Sequence, residues 1–212
     1  MFLIVAGGEP PGKELLRGLA LKARMIIAAD RGAQYCLDSG ITPGLVVGDM
    51  DSLDQGSADR LSVLGVAMKR VNADKDITDT EIALDEAISR GAHRVEILGA
   101  LGDRIDHTLA NIHLLHKSLR HGVAARITSD TQQVFLVDSY ETITGSKGRT
   151  VSFLPLTEKV EGISLKGFLY ELEDASMEIG RPYGISNVVT GDQAFVRLRR
   201  GILLAVLSMI GI

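Results

Sequence analysis

The chain has 212 residues, of which 45% are hydrophobic, and this is enough for the core of one large domain or two small ones. Its formal net charge of −4, with five phenylalanines, four tyrosines and no tryptophan, argues against a nucleic-acid partner. No apolar run reaches the roughly 20 residues of a membrane span, and the first residues lack the basic start of a signal peptide. We therefore expect a folded, soluble, cytoplasmic protein that does not enter membranes, with the single Cys36 as a core residue of a helix.

Apolar runs and helical patterns alternate through the first 130 residues. The predicted strands cover residues 2–6, 25–29, 45–48, 66–68, 95–99 and 125–128. The predicted helices cover residues 13–22, 32–39, 57–64, 78–90 and 105–119. Continuous apolar strands between helices are typical of a parallel sheet that is buried on both faces, so residues 1–130 are predicted to form an α/β domain.

After residue 130 the helical period disappears and β-branched alternation replaces it. The runs cover residues 134–137, 150–154, 163–165, 188–190, 195–198 and 202–207, and glycines separate them. Such spacing is typical of antiparallel strands. Residues 131–212 are therefore predicted to form a smaller antiparallel β domain, a sandwich or a barrel.

The first loop, residues 6–14, reads Ala-Gly-Gly-Glu-Pro-Pro-Gly-Lys-Glu and contains a G-x-x-x-x-G-K pattern. A phosphate-binding loop needs successive backbone N–H groups and a hydroxyl after the lysine. Pro10 and Pro11 have no N–H, and Glu14 occupies the position of the hydroxyl. We therefore predict a turn into a helix that begins near Lys13, and we expect any metal for a polyphosphate to be held elsewhere.

Acidic residues occur in four loops where a predicted strand ends or the next helix begins. The loops are Ala-Asp-Arg-Gly at 29–32, Gly-Asp-Met-Asp-Ser-Leu at 48–53, Asp-Lys-Asp-Ile-Thr-Asp at 74–79, and Gly-Ala-Leu-Gly-Asp-Arg-Ile-Asp-His at 99–107. Ligands of open parallel sheets bind beyond the carboxyl ends of the strands. We expect the four loops to converge on that edge.

Asp49 and Asp51 directly follow a predicted strand. In an extended segment, residues i and i+2 point to the same side, so both carboxylates can reach one cation. The alternative is a turn in which these aspartates bind their own backbone.

The helix predicted over residues 78–90 has its own start signal. Thr78 with Glu81 is a capping box, and Asp79 suits the positive end of the helix. The cap does not explain Asp74 and Asp76, and a divalent ion would relieve the repulsion among carboxylates at this density.

Arg104 lies at the start of the next predicted helix, after two glycines. An arginine at a helix N-terminus is suited to bind phosphate, because it can grip two oxygens at once. The alternative is a surface salt bridge with Asp103 or Asp106.

In their order and spacing, these motifs resemble the thiamine pyrophosphokinase (thiamine diphosphokinase) family. The resemblance continues with Ser-Asp-Thr-Gln at 129–132, Ser-Asn at 186–187 and Gly-Asp at 191–192, so it covers nearly the whole chain. One departure is Asp103, which stands where many members have glycine in a Gly-Gly-Arg sequence.

The resemblance implies an α/β catalytic domain for ATP and Mg²⁺ at residues 1–130 and a β-sandwich thiamine-binding domain at residues 131–212. It implies a cytoplasmic homodimer with active sites at the subunit interface. The implied reaction transfers the terminal diphosphate of ATP to the hydroxyl of thiamine, giving thiamine diphosphate and AMP.

The resemblance also implies roles for individual residues. Metal-binding and catalytic roles fall to Asp49, Asp51, Asp76 and Asp79, with Asp106 as a further catalytic residue. The nucleotide or its diphosphate would contact Asp30, Asp103, Arg104, Asp130 and Gln132. Thiamine would contact Ser186, Asn187 and Tyr170. Asp76 and Asp106 are both candidates for the base that accepts the alcohol proton, and stacking on thiamine falls to Tyr170, Tyr183 or Phe168 unless these are core residues.

Two other functions are compatible with parts of the sequence. A haloacid-dehalogenase-like phosphatase also places an Asp-x-Asp after a strand, and there the first aspartate, here Asp49, is the nucleophile. A non-catalytic module that binds thiamine or a nucleotide would need the same pocket without the chemistry.

Overall fold

The computed structural model describes residues 1–51, 53–71 and 77–210. The chain divides into two compact units, Met1–Asp130 and Thr131–Ile212. The parallel α/β class of the first and the antiparallel class of the second confirm the predicted fold class.

The described part of the first unit contains six strands in one parallel arrangement. They are β1 (Phe2–Val5), β2 (Met25–Ala29), β3 (Leu45–Gly48), β4 (Ala67–Arg70), β5 (Arg94–Leu98) and β6 (Ala124–Thr128). Their order is β6-β5-β1-β2-β3-β4, and every neighbouring pair is parallel. The chain therefore adds strands first on one side of β1 and then on the other. Between β1 and β5 lies the topological switch point at which such sheets bind ligands.

Helices follow the strands of this unit, as the alternating pattern predicted. Those in the described residues are α1 (Lys13–Ala20), α2 (Gly32–Asp38), α3 (Gln55–Val63), α4 (Asp79–Ser89) and α5 (Ile105–Arg120). The predicted cap of α4 is confirmed, because the Thr78 hydroxyl accepts the backbone N–H of Glu81 at 3.2 Å. The predicted helix start at Lys13 is also confirmed.

Alternating strand residues face the two helical layers. Leu3 and Val5 pack in one core with Leu16 and Leu61 of the helices α1 and α3. On the other side, α4 contacts β1, β2 and β3, while α5 contacts β6. Cys36 is buried on α2 as predicted, and burial raises the pKa of its thiol to about 12.

The described part of the second unit contains two antiparallel groups of strands. The strands are β7 (Gln132–Val137), β8 (Tyr140–Thr144), β9 (Thr150–Pro155), β10 (Lys159–Lys166), β11 (Leu172–Glu178), β12 (Asn187–Val188), β13 (Gln193–Arg197) and β14 (Leu203–Ser208). One group has the order β12-β9-β14-β7 and the other β11-β10-β13-β8. Phe135 and Phe153 of the first share a core with Ile163 and Val196 of the second, so this unit is a sandwich.

The predicted strands of the second unit omitted β8 and β11. Both lie at the edges of the same four-stranded sheet. Ile143 is the buried residue of β8, Met177 is that of β11, and β11 bends at Asp174, where φ is 47°. An edge strand that buries so little has a weak hydrophobic alternation, so the period-two signal was too faint to detect.

The helices in the described residues are all too short or too polar to span a bilayer.

Candidate active site

A cleft of about 860 Å³ opens at the carboxyl edge of the parallel strands in the first unit. Its walls come from the segments that follow β1, β2, β3 and β5 and from the first turns of α4 and α5. Of the predicted site residues, those that line it are Asp30, Asp49, Asp79, Asp103 and Arg104. The expected convergence of the acidic loops is therefore present for the loops that the structure describes.

Three carboxylates at this edge lie close enough to share one metal ion. They belong to Asp30, Asp49 and Asp51, and one oxygen from each lies within 4.8 Å of the other two. Asp49 Oδ1 also accepts the backbone N–H of Asp51 at 3.1 Å, so the turn that was the alternative to a cation site coexists with the carboxylate group. The resemblance implied a nucleotide contact for Asp30, and the structure places it in the acidic group.

The backbone that presents this group is unusual. Asp30 and Met50 have φ values of 50° and 68°, in the left-handed region that residues with a side chain seldom adopt. Gly48 has φ 139°, and a Cβ there would lie 3.2 Å from Asp79 Oδ1 and 3.3 Å from Asp30 Cβ. Gly48 thus lets the side chains of Asp30 and Asp79 approach the end of β3. Strained backbone of this kind concentrates at functional sites.

The electrostatics of the group favour a bound cation. A shared hydrogen bond with Asp49, and then the negative charges of Asp49, Asp30 and Asp79, raise the pKa of Asp51. Repulsion of this kind is relieved by a divalent ion, and carboxylate oxygens are the ligands that Mg²⁺ prefers. The donor set therefore fits Mg²⁺, whereas Asp74 and Asp76 lie outside the described residues.

Arg104 makes the salt bridge that was the alternative to phosphate binding. Its Nη2 lies 2.6 Å from Asp106 Oδ2 and its Nε lies 3.3 Å from Asp106 Oδ1, and both side chains are exposed. The hydrogen bonds from Arg104 lower the pKa of Asp106. Because the guanidinium is exposed, it is accessible to an anion that enters the cleft.

The loop after β5 is tied to the loop after β1 by backbone hydrogen bonds. Gly8 N donates to Gly99 O at 2.8 Å, and Glu9 N donates to Leu101 O at 3.0 Å. A Cβ on Gly8 would lie 2.5 Å from Gly99 O, so no larger residue fits there. The two loops therefore form one continuous rim of the cleft.

Two residues of α5 hold the same rim. The buried Asn111 donates from Nδ2 to Ala100 O at 2.8 Å, and Thr108 Oγ1 donates to Gly102 O at 3.3 Å. Both line the cleft together with His107, and the sequence analysis missed all three as site residues. The available signal was their spacing, because positions 107, 108 and 111 share one face of a helix that begins at the predicted phosphate site.

The opening loop, residues 7–12, is a wall of the cleft. Its members Gly7, Gly8, Glu9 and Pro10 line the cleft, which sequence analysis did not predict. Its end is held by Asp130, whose Oδ2 accepts the backbone N–H of Gly12 at 2.7 Å. A nucleotide-binding role for Asp130 stays a prediction.

The predicted thiamine residues lie in the second unit, as does Gln132, which begins β7. Asn187 is buried, and its side chain accepts from Tyr170 N at 3.0 Å and donates to Tyr170 O at 2.8 Å. Ser186 has φ 57°, and its N–H donates to Ser152 Oγ at 3.1 Å. Asn187 and Tyr170 are thereby brought together, with the Tyr170 side chain exposed.

The aromatic candidates for stacking on thiamine separate clearly. Phe168 is buried and packs edge to face on Phe153 with ring centroids 5.6 Å apart, so it is a core residue. Tyr170 and Tyr183 are exposed. These two tyrosines remain as candidates.

Comparison with known proteins places both units in one family. A family described as "Thiamin pyrophosphokinase, catalytic domain" matches residues 16–127, and "Thiamin pyrophosphokinase, vitamin B1 binding domain" matches residues 134–203. The thiamine pyrophosphokinase of Bacillus subtilis (strain 168) is 31% identical over 207 residues, which cover 97% of each chain. The chain belongs to the thiamine pyrophosphokinase family. The resemblance inferred from the ordered motifs is therefore confirmed.

Solved thiamine pyrophosphokinase structures have the same fold. The crystal structure of the Bacillus subtilis protein matches with a TM-score of 0.90 at 28% identity and covers 99% of each chain. The structure from Geobacillus thermodenitrificans matches with a TM-score of 0.88 at 28% identity, covering 99% of this chain and 98% of that one. The fold of this chain is thus shared with these two solved structures.

Proposed function

We propose that this protein transfers the terminal diphosphate of ATP to the hydroxyl of thiamine, giving thiamine diphosphate and AMP. The observation that carries the proposal is the group of Asp30, Asp49 and Asp51 beside a cleft that also contains Arg104, in a chain of the thiamine pyrophosphokinase family. The same family membership favours this transferase over the phosphatase and the non-catalytic module.

The acidic group would hold Mg²⁺ through Asp30, Asp49 and Asp51, with Asp79 as an adjacent carboxylate. When bound, the ion neutralises negative charge on the phosphates. A cation among these carboxylates would also offset their repulsion of a polyphosphate. Part of the predicted metal set, Asp76, lies outside the described residues and stays a prediction.

Arg104 would bind phosphate oxygens from the other side of the cleft. Its planar guanidinium can contact two oxygens, and it would exchange Asp106 for the phosphate. Asp106 is a weak proton acceptor while it is paired, because Arg104 lowers its pKa. Once Arg104 has turned to the phosphate, Asp106 is released from this pair, so Asp76 and Asp106 both stay candidates for the base.

Thiamine recognition is assigned to the second unit. The Asn187 side chain fixes the backbone of Tyr170, and this leaves the Tyr170 ring free to present a flat face. Aromatic faces attract cations, and thiamine is a cation. The division into an ATP and Mg²⁺ domain and a thiamine domain is part of this proposal, as is a cytoplasmic location.

The reaction is tested by identifying both products of incubation with ATP, thiamine and Mg²⁺. We expect AMP and thiamine diphosphate in equal amounts. ADP with thiamine monophosphate would show transfer of a single phosphoryl group instead. Release of inorganic phosphate without any need for thiamine would favour the phosphatase.

We also propose a homodimer in which each active site combines the carboxylates of one subunit with the β domain of the other. This rests on the family resemblance. An Asp49→Asn chain mixed with an Asn187→Ala chain, each inactive alone, should then give mixed dimers with one intact site. Random exchange of subunits makes about half of all dimers mixed. Because each mixed dimer has one intact site of its two, about a quarter of wild-type activity is expected. Verified mixed dimers without activity would contradict the shared site.

A further inference from the structure

We propose that Asp130 and Tyr35 are positioning residues that clamp the opening loop against the cleft. This role differs from the direct nucleotide contact that the resemblance implied for Asp130. The inference rests on the proposed function, because it concerns how the cleft holds ATP.

The opening loop has few ways of holding itself in place. Pro10 and Pro11 have no N–H, so the segment between Glu9 and Gly12 contains no backbone donor. Gly8 and Glu9 donate to the rim before this segment, and Gly12 donates to Asp130 after it. The loop is therefore fixed on both sides of a stretch that cannot hydrogen-bond through its own N–H groups.

Asp130 makes the contact at the far end of the loop. Its Oδ2 accepts Gly12 N–H at 2.7 Å across 118 residues of sequence. The approach is so close that a Cβ on Gly12 would lie 2.3 Å from Asp130 Oδ1. A carboxylate that accepts a backbone N–H makes a charge-assisted hydrogen bond, which is among the stronger contacts available to a loop.

The end of β6, two residues before Asp130, is held by a buried contact. Thr128 Oγ1 donates to Glu96 Oε2 at 2.9 Å, and Glu96 Oε1 accepts from Arg94 Nη2 at 2.8 Å. Glu96 is only 2% exposed. The end of β6 is thus fixed to β5, and Asp130 follows it at a defined position.

Tyr35 makes the contact at the near end. Its hydroxyl donates to Gly8 O at 2.8 Å, while its ring packs against the core beneath α2. Because the ring is anchored, the hydroxyl is a fixed donor. Gly7, Gly8, Glu9 and Pro10 line the cleft, so displacement of the loop would alter the wall that the proposed ATP substrate would contact.

The clamp is tested first without catalysis, by amide hydrogen exchange of Gly12 measured by NMR. In Asp130→Ala the Gly12 amide should exchange at least about 10-fold faster than in the wild type. Asp130→Asn should keep most of the protection, because the amide oxygen can still accept. Asp38→Asn is the matched control, since Asp38 accepts from Gln34 Nε2 at 2.7 Å on the exposed side of α2. Unchanged exchange in Asp130→Ala would overturn the clamp whether or not the proposed reaction occurs.

The second test separates KM from kcat in the transfer of diphosphate to thiamine. Asp130→Ala should raise KM for ATP by about 10-fold, and Tyr35→Phe by about 3-fold, with kcat within about twofold of the wild type. Tyr140→Phe, which changes an exposed hydroxyl in the second unit that accepts from Thr142, should leave both constants unchanged.

The KM values of Asp130→Asn and Gly12→Ala decide between positioning and direct contact. If Asp130 binds the nucleotide through its charge, Asp130→Asn should raise KM as much as Asp130→Ala while Gly12 stays protected, and the positioning role would be wrong. If Gly12 and Asp130 act through their shared hydrogen bond, the single variant Gly12→Ala should raise KM for ATP. The same substitution should add little to the KM of Asp130→Ala. Additive effects would contradict the clamp. A wild type that makes no thiamine diphosphate would refute the proposed function alone, since the exchange measurement still tests the clamp.

Discussion

The end of β3 offers a sharp test of how the acidic group is built, through the variant Gly48→Ala. Gly48 has φ 139°, and an added Cβ would lie 3.2 Å from Asp79 Oδ1 and 3.3 Å from Asp30 Cβ. The variant therefore strains the backbone and displaces the side chain of Asp30, a member of the acidic group, and that of the adjacent Asp79.

Two contributions set the size of the effect. A residue with a side chain in a sparsely populated φ region costs about 1–3 kcal/mol, and crowding in a packed site costs a similar amount. We expect Gly48→Ala to lower the free energy of unfolding by about 2–6 kcal/mol, against a typical total of about 5–15 kcal/mol for a native protein. We also expect about a 10-fold or greater loss of Mg²⁺ affinity, the scale found when the support of metal ligands is disturbed.

The assays are urea unfolding and the Mg²⁺ dependence of thiamine diphosphate formation. Gly44→Ala is the matched control ahead of the same strand, because the nearest atom to its Cβ lies at 3.6 Å. Gly65→Ala tests backbone strain without crowding, since φ at Gly65 is 67° and the space around its Cβ position is open. This variant should lower the free energy of unfolding by about 1–2 kcal/mol without changing the Mg²⁺ dependence. If Gly48→Ala matched Gly44→Ala in both measurements, the account of the site's geometry would be refuted.

Three further predictions follow from the described contacts. Asp51→Asn should lower turnover by roughly 10²-fold, with the fold retained in circular dichroism, and normal activity of this variant at limiting Mg²⁺ would contradict the metal assignment. Lys13→Ala should leave KM for ATP within about twofold of the wild type, and loss of ATP binding would contradict this expectation. Glu86 accepts hydrogen bonds from Lys69 and then Arg90, which lower its pKa below the ordinary 4.5. Its stabilising contribution is present above pH 4.5 and is lost as the pH falls through the lowered value, so the stability deficit of Glu86→Gln in urea unfolding should shrink below that pH; a deficit independent of pH would be evidence against the pairing. Gly18→Ala, within α1 and with nothing within 4 Å of the new Cβ, should raise the free energy of unfolding by about 0.5–1 kcal/mol, and any loss of stability would contradict the open space.

Features with a local cause were predictable from the sequence. The start of α4 follows from the Thr78 hydroxyl, and this signal does not depend on the rest of the fold. The gathering of acidic loops was predictable for a different reason. Parallel strands share a carboxyl edge, so residues after β2 and β3 must lie near each other once the sheet forms.

The partners within the site were not predictable, because they depend on sheet order and on individual backbone angles. Asp30 lies with Asp49 and Asp51 because β2 lies beside β3 and because Asp30 adopts a positive φ. No pattern of residues in the sequence indicates that backbone angle. For Arg104, the sequence offered two acidic partners, Asp103 directly before it and Asp106 two positions after it. The choice of Asp106 depends on the geometry at the start of α5.

The acidic group is held together by backbone geometry against the repulsion of its own charges. Asp30, Gly48 and Met50 all have positive φ. The hydrogen bond with Asp49 and the negative charges nearby raise the pKa of Asp51 above its ordinary value. Such strain persists only where the surrounding structure fixes it, and here β1, β2 and β3 are almost wholly buried between the helices. The stability of the central strands thus keeps the carboxylates close to one another without a bound cation, so the Mg²⁺ of the proposed reaction would not first have to order the site.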